Sequence, residues 1–335
     1  MKRKYFFALI LILAGVLSYY LRPDDIFSRS GMAMNTIIRM SIKAHDDYSL
    51  NDAFTLLESL DYSLSMFNPS SDISRINSFA GISSAHVPAE TINVIRKAVN
   101  LHDLTDGSFN PLIGSLTRLW KINHNDGLIP SQESIDEAVK FTDIHNLVID
   151  NNSVYLKHKE CVLDLGGIAK GFAGDLIAQL FRNYGIKSAL IDLGGNICVV
   201  GNNFEGDNWK IGIRDPFEPL TKPALVIHAH DTNIITSGNY ERFKFHNGKK
   251  FSHFFDPKTG ESIMNDLLSV TIIDADGSVA DGLATAFMAM GFDKAKDYAK
   301  RLNVMAVLIR NDKSIHASEK LKNFVSGNKF HILFF

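Results

Sequence analysis

The sequence predicts a mixed α+β protein with largely antiparallel sheets and helices packed on them. Segments with helical apolar spacing are interspersed with short β-type runs, and tight-turn residues join several of these runs into hairpins. The 335 residues, 45% of them hydrophobic and 21% charged, suffice for one large globular domain or two ordinary ones. No linker is evident after residue 33, so we expect one interleaved unit, which could divide into two lobes.

The helices are predicted from apolar residues that recur at three- and four-residue steps. The first closes at Asn68-Pro69, and the helix after Pro130 begins with Ser131 as a capping residue. The polar stretch over 69–77 is either a loop or a short helix. The predicted helices cover 50–67, 90–104, 131–140, 168–180, 278–290 and 294–302.

The strands are predicted from short apolar or alternating runs bounded by turn residues. Asn151-Asn152 joins two of them into a hairpin, and His246-Asn247-Gly248 joins two others. The predicted strands cover 34–44, 147–150, 154–156, 162–165, 188–193, 209–214, 225–229, 234–236, 243–245, 251–253, 267–273 and 304–309.

The first 22 residues differ from the rest of the chain. Lys2, Arg3 and Lys4 precede an apolar run over 5–21, which is typical of an export signal and lies at the lower length limit for a membrane span. A clear cleavage site and a lipid-accepting cysteine are both absent, so we expect an uncleaved, non-lipidated anchor with a cytoplasmic N-terminus. A cleaved signal peptide and a buried helix are the alternatives. The predicted boundaries are an anchor over 1–22, a linker over 23–33 and the main domain over 34–330.

Charge and cysteine content exclude some functions. Without the four basic residues of 1–22, 31 basic residues stand against 37 acidic ones, a net charge of −6 that argues against a nucleic-acid partner. Cys161 and Cys198 adjoin separate predicted strands, so two buried thiols are favoured over a disulfide. Cysteine-based metal spacings are absent from the sequence, as are the P-loop, GxGxxG, GxSxG and HExxH motifs.

Two glycine turns share the pattern Asp-Leu-Gly-Gly. The first, over 164–167, opens a helix with Lys170 in its first turn, and the second covers 192–195. A glycine turn at a helix start exposes backbone N–H groups and a positive dipole end, which favour phosphate oxygens. Two strands that end alike and are joined by one helix bring both turns to one sheet edge, so we expect a shared cleft. An ordinary βα turn with a surface lysine is the alternative.

Two further groups could carry chemistry. Asp281 and Thr285 lie four residues apart on one face of a predicted helix, where a carboxylate and a hydroxyl could hold a hard cation such as Mg²⁺. The alternative is that Asp281 only stabilises the start of the helix, where negative charge is favourable. His253 leaves a predicted strand shortly before Asp-Pro-Lys-Thr-Gly and could be a general base, although a packed or solvated histidine is the alternative.

The ordered set of motifs resembles one bacterial family. The motifs are Asp-Leu-Gly-Gly-Ile-Ala-Lys-Gly, Leu-Gly-Gly-Asn-Ile, Thr-Ser-Gly-Asn-Tyr-Glu-Arg-Phe, Ser-His-x-x-Asp-Pro-Lys-Thr-Gly and Ala-Asp-Gly-Leu-Ala-Thr-Ala, preceded by polar segments over 70–77 and 105–111. Over about residues 30–310 the chain is similar to the FAD:protein FMN transferases, formerly called thiamine-biosynthesis lipoproteins. The likeness depends on the whole ordered set, because each motif alone is only moderately specific.

The resemblance implies a flavin transferase-like fold and a Mg²⁺-dependent reaction. FAD would be cleaved, AMP released and FMN attached to a Thr or Ser of a target protein, often a subunit of a respiratory complex. The implied metal ligands are Asp281, Thr285 and the carbonyl of Gly167, and His253 is the implied base. The implied FAD contacts are Met34, Phe67, Ser108, Phe109, Asn110, Asp164, Lys170 and Phe255. With the anchor, the resemblance implies a location at the bacterial inner membrane, facing the periplasm.

Two positions depart from the pattern of this family, and two other functions stay open. Ala284 stands where some members have an oxygen-bearing side chain, and Asn110 stands where Asp is common. The same residues permit a Mg²⁺-dependent FAD pyrophosphatase that passes FMN to water, and the choice between the two acceptors depends on water exclusion. A non-catalytic exported flavin-binding protein is the other alternative, and the presence of Asp281, Thr285 and His253 argues against it.

Overall fold

The computed structural model describes residues 24–122, 128–218, 222–240, 242–326 and 332–335. A nine-stranded sheet crosses the molecule, and every neighbouring pair in it is antiparallel except the last. This confirms the predicted α+β class. In spatial order its strands are β1 (Asp25–Ala33), β2 (Thr36–Ala44), β6 (Ala189–Leu193), β7 (Asn196–Val200), β10 (Thr232–Gly238), β13 (Leu267–Asp274), β14 (Met305–Arg310), β15 (Ile315–Ala317) and β17 (Ile332–Phe334).

Three smaller sheets surround the large one. Both predicted hairpins are confirmed. Asn247 and Gly248 turn the second hairpin with φ values of 48° and 75°, the left-handed conformation that a two-residue turn of this kind requires. The smaller sheets are β3 (Ala85–His86) with β5 (Ser153–Leu156) and β4 (Leu147–Asp150), β16 (Val325–Ser326) with β9 (Pro223–Ala229) and β8 (Trp209–Arg214), and β11 (Phe243–His246) with β12 (Lys249–Ser252).

The helices begin and end close to the predicted bounds. The hydroxyl of Ser131 accepts the N–H of Ser134 at 3.3 Å, as expected of a cap, and the polar stretch over 69–77 contains a short helix capped by Ser71. The helices are α1 (Tyr48–Leu64), α2 (Asp72–Ser78), α3 (Ala89–Leu104), α4 (Gly114–Trp120), α5 (Gln132–Val139), α6 (Ala169–Asn183), α7 (Gly277–Met290) and α8 (Phe292–Arg301), with 3₁₀ turns at Lys140–Thr142, Ile144–Asn146 and Glu319–Asn323.

Both faces of the large sheet are buried. Successive strand residues point to opposite faces, so Ile235 and Ile272 belong to the core under the helices, whereas Ile234 and Ile273 belong to the core under β8 and β9. Each central strand is therefore apolar at successive positions rather than at alternate ones. The helical layer contains α6 and α7, which bring the candidate site residues to one end of the sheet.

Several parts of the chain differ from the sequence-based prediction. Residues 25–33 form strand β1 and not a linker, because they pair along the full length of β2. Val162–Leu165 is not a strand. The N–H and the carbonyl of Leu163 both form hydrogen bonds with the side-chain amide of Asn77. The edge strand β1 escaped prediction because most of its side chains are exposed and show no core-facing pattern. Strand β7 and helix α4 were also missed.

Two other predictions concern the cysteines and the anchor. Cys161 and Cys198 are both free and buried, which confirms the preference for two thiols. Among the residues that the structure describes, no helix is both long enough and apolar enough to cross a membrane. The predicted anchor over 1–22 lies outside those residues and stays a prediction.

Helices α6 and α7 cross at two glycines. A Cβ atom on Gly171 would lie only 2.0 Å from the carbonyl oxygen of Gly277, and one on Gly277 would lie 2.6 Å from the carbonyl oxygen of Gly171. Real Cβ atoms do not approach backbone this closely, so only glycine allows the contact. The close approach lets the N–H of Gly171 donate a hydrogen bond to Asp281 on α7.

Gly171→Ala is therefore expected to lower the free energy of unfolding by about 3 kcal/mol, because the methyl group forces two backbones apart. The matched control is Gly174→Ala in the same helix, where the nearest atom to a new Cβ is Cys198 Cβ at 3.6 Å, an ordinary contact. Because alanine favours helix over glycine by up to about 1 kcal/mol, the control should be neutral or slightly stabilising. Urea unfolding measures both, and equal stability of the two variants contradicts the close crossing.

Candidate active site

A cleft of about 1100 Å³ opens at the start of α6. This is at the upper end of the usual range of small-molecule sites, roughly 300–1,000 Å³, so a ligand as large as a dinucleotide has room. Gly166 and Gly194 both line it, which confirms the expected shared cleft for the two glycine turns. All of the predicted site residues line it as well: Met34, Phe67, Ser108, Phe109, Asn110, Asp164, Gly167, Lys170, His253, Phe255, Asp281 and Thr285. Their individual roles stay predictions.

The predicted metal ligands meet where the glycine turn faces α7. The Thr285 hydroxyl lies 3.4 Å from the carbonyl oxygen of Gly167, and a Cβ on Gly167 would lie 3.1 Å from that hydroxyl and fill the space between them. Asp281 is on the same helix, one turn earlier, and is 2% exposed. In the described part of the chain, no group of three or more His, Cys, Asp or Glu side chains could hold a metal ion. A cation here would depend on one carboxylate with hydroxyl and carbonyl oxygens, a donor set that suits Mg²⁺.

Asp281 is held in position by two hydrogen bonds. Its Oδ2 accepts the N–H of Gly171 at 2.9 Å, and its Oδ1 accepts the side-chain amide of Asn196 at 3.0 Å. Carboxylate oxygens have further lone pairs, so both can still face a cation. Asn196 lines the cleft and was not predicted as a site residue. Its position directly after the second Asp-Leu-Gly-Gly pattern was the available signal.

The start of α7 is fixed by a second buried carboxylate, Asp175 on α6. It accepts the N–H groups of Gly277 and Ser278 at 2.8 and 3.1 Å and the side-chain amide of Asn233 at 3.2 Å. Burial raises the pKa of Asp175, and the two backbone N–H bonds oppose this. Asp175 therefore aligns α7, and with it Asp281, against α6.

The first glycine turn is braced by Asp164. Its Oδ1 accepts the N–H of Gly166 at 2.8 Å and its Oδ2 accepts the hydroxyl of Thr117 at 2.9 Å. The amide of Asn110 is used within the protein: it donates to the carbonyl of Thr142 at 2.8 Å and accepts the N–H of Leu112 at 2.8 Å. Asn110 thus holds the loop that leads into Gly114–Trp120.

Four basic side chains line the cleft. Lys170 was predicted from the glycine turn, Arg242 appeared only within a motif, and Arg118 and Lys121 were missed because they lie at the end of the unpredicted helix α4. None of the four has an ion-pair partner among the described residues. Together with the start of α6 they make the cleft attractive to a polyanion such as a diphosphate.

The phenylalanines that line the cleft differ widely in solvent exposure. Phe67 is 70% exposed at the cleft wall, where a planar ligand could stack on it. Phe109 and Phe255 are buried, and Phe255 stacks on Trp120 with ring centroids 5.8 Å apart.

Met34 adopts φ 48° and donates its N–H to Asp61 at 2.9 Å, which fixes the β1–β2 turn against α1.

His253 follows strand β12 directly and faces the cleft. Its Nδ1 lies 3.1 Å from the carbonyl oxygen of Arg242. Because a carbonyl can only accept, Nδ1 carries the proton and Nε2 keeps a lone pair. Burial lowers the pKa of His253 to about 4, the carbonyl hydrogen bond opposes this, and the charges of Arg242 and Lys170 lower it further. The imidazole is thus neutral at physiological pH and can accept a proton.

The pH dependence of kcat/KM is expected to reflect this low pKa. Only the neutral imidazole can act as a base, so the rate falls as pH drops through the pKa of the free enzyme. The acid limb should therefore be centred near pH 4 and not near the ordinary histidine value of 6.5. Initial rates across this range measure it, with circular dichroism in the same buffers to exclude unfolding. An acid limb centred near pH 6.5 contradicts the buried setting of His253.

The cleft combines a helix start, four basic side chains and a histidine with an available Nε2, an arrangement that suits an enzyme acting on a large anionic ligand. The chain belongs to the ApbE family, whose family model matches residues 34–309. This confirms the resemblance seen in the motifs.

Relatives of known name agree with this family. The chain is 32% identical over 314 residues to the FAD:protein FMN transferase of Treponema pallidum (strain Nichols), covering 87% of this chain and 86% of that protein. It is 30% identical over 331 residues to the FAD:protein FMN transferase of Vibrio cholerae, covering 95% of this chain and 97% of that protein.

Solved structures agree as well. The flavin transferase ApbE from Vibrio cholerae has a TM-score of 0.82 at 29% identity, and the apbe protein from Thermotoga maritima has 0.84 at 27%. Each comparison covers 90% of this chain and 100% of the other. The predicted flavin transferase-like fold is confirmed.

Proposed function

We propose that this enzyme transfers FMN from FAD to a Thr or Ser hydroxyl of a target protein and releases AMP. The family and the names of the relatives support flavin transfer. The observation that carries the proposal is the neutral His253, whose free Nε2 shares one cleft with the glycine turn, Lys170 and Asp281. A base, an anion-binding helix start and a carboxylate are what a phosphoryl-type transfer to a hydroxyl needs.

Side chains and backbone groups of the enzyme act on both the acceptor hydroxyl and the diphosphate of FAD. His253 Nε2 accepts the proton of the acceptor hydroxyl as the hydroxyl oxygen attacks the phosphorus of the FMN half of FAD. The new bond is a P–O ester to the acceptor, and the bond that breaks joins that phosphorus to the oxygen bridging to AMP, which leaves as the phosphate of AMP. Lys170 and the N–H groups at the start of α6 stabilise the charge that develops on the diphosphate oxygens.

Mg²⁺ is part of the same proposal. Asp281, the Thr285 hydroxyl and the carbonyl of Gly167 would hold it, and the close approach of Thr285 to Gly167, where a Cβ would be crowded, supports this assignment. When bound, Mg²⁺ neutralises negative charge on the diphosphate. The role of Asn196 and Gly171 is to orient the Asp281 carboxylate toward the cleft.

The proposed acceptor is a subunit of a respiratory electron-transfer complex, reached at the inner membrane from the periplasmic side. The support is the predicted anchor over 1–22, with its basic residues before the apolar run. The test is to incubate the full chain in detergent with FAD, Mg²⁺ and purified candidate subunits. A flavin-fluorescent subunit on a denaturing gel supports the proposal. FMN released free with no labelled subunit supports a pyrophosphatase, and bound FAD without cleavage supports a flavin-binding protein.

A further inference from the structure

The hairpin of β11 and β12 packs on the protein with a lysine on its buried face and two phenylalanines on its exposed face. The antiparallel register puts Lys244 and Phe251 opposite each other on the face that packs on the protein. Lys244 is only 3% exposed, and its ammonium donates a hydrogen bond to the carbonyl of Leu128 at 2.7 Å. Phe251 packs against Trp120, with ring centroids 5.6 Å apart. A lysine is thus buried in a hairpin of only four residues per strand.

The opposite face presents phenylalanines to solvent. Phe243 and Phe245 are 40% and 58% exposed, and their rings form an edge-to-face pair with centroids 5.4 Å apart. The ammonium of Lys250 lies 4.4 Å from the centre of the Phe243 ring. Folding alone favours the reverse, with phenylalanine inward and lysine outward. Neither phenylalanine lines the FAD-sized cleft, so ligand binding there does not explain their exposure.

The hairpin is continuous with the candidate base. Arg242 precedes β11 directly, His253 follows β12 directly, and the hydrogen bond from His253 Nδ1 to the Arg242 carbonyl closes the hairpin at its base. A four-residue strand is about 13 Å long. A polypeptide with a hydroxyl at His253 Nε2 therefore has its neighbouring residues within reach of Phe243 and Phe245.

We propose that this face, made of Phe243, Phe245 and Lys250, is the docking surface for the segment of the acceptor protein that carries the Thr or Ser. The inference rests on the proposed function. The segment should offer apolar side chains to the two rings and an acidic side chain to Lys250, which lies on the same face. Charge complementarity of this kind guides association and fixes orientation, while the aromatic pair supplies most of the affinity.

The test uses the subunit that the wild-type enzyme labels, at a range of subunit concentrations. Phe243→Ser with Phe245→Ser is expected to raise the KM for that subunit by about 10- to 100-fold, since aromatic residues dominate such surfaces. The affinity for FAD and the slow cleavage of FAD without acceptor should be unchanged. Phe243→Leu with Phe245→Leu should keep the KM for the subunit close to the wild-type value. Lys250→Glu should raise the KM for the subunit mainly at low salt.

The matched control is Phe324→Ser, which removes a phenylalanine of similar exposure, 47%, that does not line the cleft. It should leave the KM unchanged. An unchanged KM in the Phe243 and Phe245 variant overturns the docking surface while the proposed function stands. If the wild-type enzyme labels no subunit, the proposed function fails. Loss of binding to vesicles of anionic lipid with no change in KM identifies the face as a membrane contact and also overturns the proposal.

Discussion

His253→Ala is expected to slow FMN transfer by about 10²- to 10⁴-fold, the usual loss when a general base is removed. FAD should still bind, because the cleft keeps its basic side chains and its glycine turn. The reason is geometric: Nδ1 is engaged by the Arg242 carbonyl, so Nε2 is the only ring nitrogen that can take the acceptor proton. Single-turnover labelling of the acceptor measures the rate, and quenching of flavin fluorescence measures FAD binding.

Two controls separate a chemical role from a structural one. His253→Gln can keep a hydrogen bond to the Arg242 carbonyl but cannot accept a proton at neutral pH, so it should be as slow as the alanine variant. His145→Ala alters an exposed histidine that does not line the cleft and should have wild-type activity. Transfer at the wild-type rate by His253→Ala rules out His253 as the base.

Asp281→Ala is expected to have the other large effect, a loss of about 10³-fold or more in transfer, which corresponds to about 4 kcal/mol of transition-state stabilisation. Asp281 supplies the single carboxylate of the proposed metal group. Its removal should also abolish saturation of the rate by Mg²⁺. The rate as a function of Mg²⁺ concentration is the measurement, and calorimetric titration of Mg²⁺ into the FAD complex is an independent readout of binding.

The matched control for Asp281 is Asp276→Ala at the N-cap of the same helix. The Asp276 carboxylate accepts the N–H of Val279 at 3.0 Å and pairs with Lys97 at 2.6 Å, but it does not line the cleft. Its loss should cost about 1 kcal/mol of stability and leave the Mg²⁺ dependence intact. Normal Mg²⁺ saturation in Asp281→Ala moves the metal site elsewhere.

Much of the fold was predictable because its signals are local. Helices α3, α6 and α7 follow from apolar spacing, and Asn247-Gly248 specifies its turn because both residues accept positive φ. A shared cleft was predictable from two glycine turns joined by one helix, and the structure brings Gly166 and Gly194 to one cleft. The premise that both turns end strands was wrong for the first turn, because 162–165 is not a strand.

What escaped prediction depends on contacts distant in sequence. Leu163 looks like part of a strand, yet its backbone is satisfied by the side chain of Asn77 and not by a neighbouring strand. Asn196 on β7 reaches Asp281 on α7 only in the folded protein. Phe243 is exposed because the adjacent Lys244 points inward and donates a hydrogen bond to the carbonyl of Leu128. A sequence pattern with phenylalanine and lysine at alternate positions does not say which face is inward.

Counting AMP released against FMN bound to the acceptor, in one reaction with limiting FAD, tests the proposed transfer most directly. With the acceptor in excess, we expect one acceptor-bound FMN for each AMP, little free FMN, and loss of both products in Asp281→Ala. AMP accompanied by an equal amount of free FMN, with no covalent flavin on the acceptor, contradicts transfer to a protein hydroxyl and leaves hydrolysis of FAD as the reaction.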